Sequence, residues 1–107
     1  MANVINFNSY EQQPLAVTSS NSPGAFTTQA AQMAADCMIV NYGASGAQVV
    51  FGNGAQTAVN TASAAGTKQY YIPAGAVMVV AKNNFSNFAA ITDGGSTNLA
   101  LHAGSGS

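Results

Sequence analysis

Charge is what this chain has least of. Charged residues make up 5% of it, namely Glu11, Asp36, Lys68, Lys82 and Asp93, and no arginine occurs. A typical domain carries about a quarter. With a net charge of -1 there is no basic patch to gather phosphates, which argues against nucleic-acid binding and against electrostatic capture by an anionic membrane. The single cysteine, Cys37, excludes an intramolecular disulfide framework. It sits in the apolar run DCMIVNYG with no basic neighbour in sequence, and reads as a buried structural thiol. One histidine, His102, and one cysteine cannot build a structural zinc site within one chain. His102 reads as an exposed strand residue, and no cofactor is expected. Long apolar runs are missing too: Asn, Gln, Gly or Ser interrupts each one before it reaches the length of a membrane-spanning helix. The N-terminal MANVINFNSYEQQP has neither a basic n-region nor an unbroken apolar h-region, so synthesis and use in a cytoplasm are expected.

Catalytic patterns are equally sparse. Glu11, Asp36 and Asp93 fall in an extended segment, a strand start and a turn, without the spacing of a calcium loop or a carboxylate pair. GNGAQT lacks the lysine and following helix of a phosphate loop. NFS at Asn84 matches a glycosylation acceptor, but there is no secretory signal to go with it. No nucleophile with a base is visible, and the chain is not expected to be an enzyme.

What fills the space is Ser, Thr, Asn, Gln, Gly and Ala. A surface made of these residues is poorly protected against association, and burying an amide or a methyl group costs far less than burying an unpaired ion. The low charge therefore points to an assembly subunit. At 107 residues the chain forms one core, burying roughly two-thirds of its unfolded surface.

Organisation follows from the turns. Residues 1–25 carry Pro14 and Pro23 among scattered apolar side chains, and are expected to form an extended N-terminal arm. Val4, Ile5, Phe7, Tyr10 and Leu15 are too apolar to wave in water and are the candidate interface residues. An ordinary first strand of the same sheet is the alternative. Residues 26–107 form the sandwich domain. FTTQAAQMAA suits either a helix or a strand and is assigned to strand. CMIVNYG is a strand with Met38, Val40 and Tyr42 on one face and Cys37, Ile39 and Asn41 on the other. AQVVFG is expected as its hairpin partner. AQTAVNTAS is either a weak edge strand or a loop. Pro73-Ala74-Gly75 makes a hairpin or a strand-to-strand corner between Gln69–Ile72 and Ala76–Lys82. FSNFAAIT and TNLALHAG flank the hairpin signal Asp93-Gly94-Gly95-Ser96, with Leu99 and Leu101 inward. About seven or eight short strands at this spacing predict an all-β fold, an antiparallel β-sandwich or barrel.

The stretch IPAGAVMVVAKNNFSNFAAITDGGSTNLALHAGSGS resembles the small β-sandwich proteins of tailed-bacteriophage virions. The pattern is a proline-glycine corner before an apolar strand, then a small-residue strand, a Gly/Ser turn and a strand closing on a glycine-rich tail. The resemblance spans roughly residues 38–107 and lies in turns and strands. It implies a jelly-roll-like fold and a capsid decoration or cement protein on the virion surface. The implied partners are the major capsid protein and sister copies in a dimer or trimer, with no catalytic residues to carry over. Residues 1–25 have no counterpart in that pattern. Two other functions share most of these features: a tail, collar or fibre component of the same virion, and a carbohydrate-binding module with Tyr70, Tyr71 and Asn83 as its platform.

Overall fold

The computed structural model describes residues 7–58 and 69–106. Among these, eight strands and one helical turn follow in the order β1 (Phe7–Val17), β2 (Ser22–Ala25), α1 (Gln29–Gln32), β3 (Asp36–Asn41), β4 (Ala47–Gly52), β5 (Tyr70–Ile72), β6 (Val77–Ala81), β7 (Asn87–Thr92) and β8 (Thr97–Gly106). They form two four-stranded sheets, β1-β8-β3-β6 and β2-β7-β4-β5, in which every pairing is antiparallel. The protein is an all-β sandwich with the connectivity of a jelly roll.

Alternation decides the faces. On β3, Cys37, Ile39 and Asn41 are buried, while Met38 and Val40 are half-buried on the opposite side. On β8, Leu99, Leu101 and Ala103 point into the core. Phe88 and Ala90 of β7, Val49 and Phe51 of β4 and Ile72 of β5 close it from the second sheet. Phe26 meets Phe88 with ring centroids 5.0 Å apart. Gly24 faces this pair, and a Cβ there would come within 2.5 Å of the Phe88 ring. At this point β2 can approach β7 only because it has no side chain.

From Phe7 onward the first twenty-five residues differ from the expected arm and follow the alternative of an ordinary first strand. Phe7–Val17 pairs with β8 along its whole length, with an irregularity between Ser9 and Glu11, and Ser22–Ala25 pairs with β7. Residues 7–25 therefore belong to the sandwich, as its first strand in each sheet, and residue 25 is not a boundary. The physical reason is that a strand beside β8 satisfies one edge of that strand's backbone, which a free arm would leave open. Pro14 is tolerated because β1 is an edge strand.

Further local expectations are corrected. FTTQAAQMAA is not a strand: Thr28 caps a helical turn, its hydroxyl accepting from Ala31 N at 3.3 Å, and the Ala/Gln propensity of the segment prevails. Neither β3–β4 nor β7–β8 is a hairpin, since each pair is split between the two sheets. Of the two readings of Pro73-Ala74-Gly75, hairpin or corner, the corner holds, with Gly75 at φ 78°, carrying the chain from β5 to β6 across the sandwich. The corner between β6 and β7 uses Asn83 and Asn84 at φ 58° and 62°, values asparagine tolerates better than most residues. Of the consecutive strands, only β4 and β5 pair with each other. The segment AQTAVNTAS lies largely outside the described residues.

Candidate assembly surface

Direct partners in an antiparallel ladder share a face, so the registers define the outer surface of the β1-β8-β3-β6 sheet. One row across it is Pro14, Ala100, Val40 and Val77; the next is Gln12, His102, Met38 and Val79. Tyr42, just past β3, is 61% exposed and Val77 is 45% exposed. Asp36 stands at the margin, paired with Gly104 and Ala81. His102 is half-buried rather than exposed, because β1 and β3 flank it on both sides. Burial pushes it below its ordinary pKa, which favours the neutral ring, and its Nδ1 lies 3.4 Å from Ser9 Oγ. Apart from Asp36 at its margin, the face is apolar or neutral across all four strands.

The candidate interface residues are distributed differently. Val4 and Ile5 lie outside the described residues. Leu15 packs against the core of its own subunit, and Phe7 is half-buried. Tyr10 is 45% exposed, with its hydroxyl 3.1 Å from Ser105 Oγ.

Of the carbohydrate candidates, the structure brings two together. Tyr70 and Asn83 line a cavity of about 60 Å³ with Phe51, Ala81 and Phe85. Tyr71 points to the other face of β5 and covers Gly46, where its hydroxyl occupies the space a Cβ would take. The cavity is far smaller than the roughly 300 Å³ at which ligand pockets begin, and has the scale of about two waters. Among the described residues, no three histidine, cysteine, aspartate or glutamate side chains gather as a metal cluster.

Three polar side chains not assigned a role from sequence tie the sandwich together, Asn41 and Lys82 in the interior and Glu11 at its margin. Asn41, 1% exposed, donates through Nδ2 to Ser45 O at 2.9 Å and Ile72 O at 3.0 Å, while its Oδ1 accepts from Gly43 N and from the buried Thr97 hydroxyl. One amide thereby joins β3, the following turn, β5 and β8. Glu11 accepts from Thr27 N, Thr28 N, both threonine hydroxyls and Gln13 Nε2. Burial alone would raise its pKa, but the hydrogen bonds from Gln13, Thr28 and Thr27 together outweigh it and bring the carboxyl down to about 2. Lys82 is fully buried, donating to Gln32 O and Phe85 O, with its ammonium 5.6 Å from the Phe26 ring centroid. Burial lowers its pKa, and the nearby Cys37 pulls in the other direction without prevailing. Cys37 thus has a basic neighbour in space that it lacks in sequence. Even so, burial prevails over Lys82 and pushes the thiol up to about 12, which leaves it protonated and unreactive.

The signal for Asn41 was present as a polar residue on the core-facing parity of an apolar strand. Lys82 gave no comparable signal, because its acceptors come from α1 and from the β6–β7 corner. No protein-family model, curated protein or solved structure matches the chain.

Proposed function

We propose that the protein is a structural virion subunit that decorates and stabilises a bacteriophage capsid through uncharged subunit contacts. The observation that carries the reading is the outer face of β1-β8-β3-β6, where two rows of neutral and apolar residues run across four strands with Asp36 at the margin. Contacts made by such a face are modest individually, but many copies on one lattice gain avidity without any charge pairing. The major capsid protein is the proposed partner, and sister copies of the chain complete the assembly. The resemblance of residues 38–107 to small sandwich proteins of phage virions supports the same reading.

The test is co-sedimentation with capsids assembled from the major capsid protein encoded alongside this chain. Wild type is expected to pellet with them. Pro14→Lys and Tyr42→Lys, at exposed positions on or beside the outer face, are expected to lose binding while keeping the wild-type unfolding midpoint. Undiminished binding by both variants overturns the assignment of this face. Wild type that binds isolated tails and not capsids replaces the decoration reading with the tail or collar one.

A further inference from the structure

Among the described residues β6 ends its sheet, with β3 paired to one of its edges and no strand on the other. At the two ends of its ladder with β3, Asn41 N donates to Ala76 O at 2.9 Å and Lys82 N donates to Ala35 O at 2.7 Å. Antiparallel alternation then turns the backbone groups of Met78 and Val80 toward β3 and those of Val77, Val79 and Ala81 away from it. Ala81 O accepts from the Tyr70 hydroxyl at 3.1 Å, which agrees with that parity. No hydrogen bond among the described residues reaches the outward backbone groups of Val77 or Val79.

Natural edge strands are normally blunted by charge, proline or a bulge. The sequence VMVVA has neither a charge nor a proline, and its register with β3 is unbroken. Met78 lies on the core-facing side, opposite Ile39, and is still 37% exposed, with no described strand beyond it.

We propose that β6 pairs antiparallel with β6 of a second copy about a twofold axis through Val79, fusing two four-stranded sheets into one continuous sheet. The occupant is a second copy because the strand is complementary to itself. In this register Val79 faces its own symmetry mate, Val77 faces the partner's Ala81, and Met78 faces the partner's Val80. Every pair is apolar and no like charges meet. The outward N–H and C=O groups of Val77, Val79 and Ala81 form about six hydrogen bonds; Ala81 O keeps a lone pair for this purpose beside Tyr70. Met78 becomes covered, and the apolar row ending at Val77 continues into the partner's sheet. The proposal deepens the assembly reading by naming the sister contact. It is tested without capsids, so its failure leaves capsid binding standing.

Sedimentation velocity of the full chain over a micromolar to millimolar series is expected to show a shift from 10.7 kDa to twice that mass. Val79→Pro removes an N–H that only the partner uses, and Val79→Lys sets two ammonium groups side by side; both are expected to remain monomeric. Val79→Cys is expected to form a covalent dimer on mild oxidation, because hydrogen-bonded cross-strand partners have Cα atoms about 5.5 Å apart, within disulfide reach. Circular dichroism identifies any variant that fails to fold, and the cysteine variant gives a readout independent of the other two. A wild-type monomer throughout the series together with no crosslinking overturns the proposal. So does a dimer that persists in folded Val79→Pro while Val79→Cys gives no crosslink.

Discussion

Asn41 shows how much a single amide can hold in a sandwich with so few charges. Its side chain satisfies two carbonyls, one backbone N–H and one hydroxyl, and it is buried where water cannot take over. Asn41→Ala leaves those partners stranded and is expected to cost about 2–4 kcal/mol, read as a lower urea midpoint with an unchanged slope. Glu11 works at the sandwich margin, where it gathers the backbone entering α1. Its pKa falls from 4.5 to about 2 on folding, so the unfolded chain binds the proton more readily. Its contribution is therefore complete above the unfolded value and disappears as pH drops from about 4.5 toward 2. Glu11→Gln is expected to lower stability at pH 7 by about 1–2 kcal/mol and to flatten the acid side of the profile, measured by denaturant titration at successive pH values. Sequence made Glu11 visible as one of few charges, but not its acceptor role, because Thr27 and Thr28 reach it only when β1 and α1 meet.

Strand β1 turns the question of an arm into one of sheet integrity. Its ladder runs from Phe7–Gly106 to Val17–Thr97, and removing residues 1–14 would strip most of it from β8. Strand β8 would then become an edge, with Leu99 and Leu101 protected from water on one side less. The truncated chain is expected to lose cooperative thermal unfolding and to bind a hydrophobic dye, whereas a true arm would be removable without effect on calorimetry. Strands were legible wherever apolar parity alternated, as in CMIVNYG and TNLALHAG, and the turns were legible from Gly, Pro and Asn. Strand partners were not. A turn signal says that the chain reverses, but at the end of a sandwich it serves equally for a return to the neighbouring strand about 4.8 Å away and for a crossing to the opposite sheet about 10 Å away. The helical turn at Gln29–Gln32 was missed for a related reason, since the Thr28 cap competes with strand propensity at the same residues.

Taken as a whole, the molecule joins a well-sealed core to an outer face with almost no charge. Such a surface predicts association that hardly responds to salt: raising ionic strength from about 0.05 to 0.5 M, where the Debye length shrinks from roughly 14 to 4 Å, is expected to leave capsid co-sedimentation essentially unchanged. A steep loss with salt would show that the contact depends on the few charges after all. The order of residues by itself determined the all-β class and the parity of the central strands, and composition the scarcity of charge, because these follow from local side-chain chemistry and period-two alternation. Only the tertiary structure decided that β1 belongs to the sandwich, that short turns cross between sheets, that Lys82 is buried against carbonyls and that β6 stands last among the described strands of its sheet. Those features depend on contacts between residues distant in sequence, and no local pattern encodes which distant strand will satisfy a given backbone.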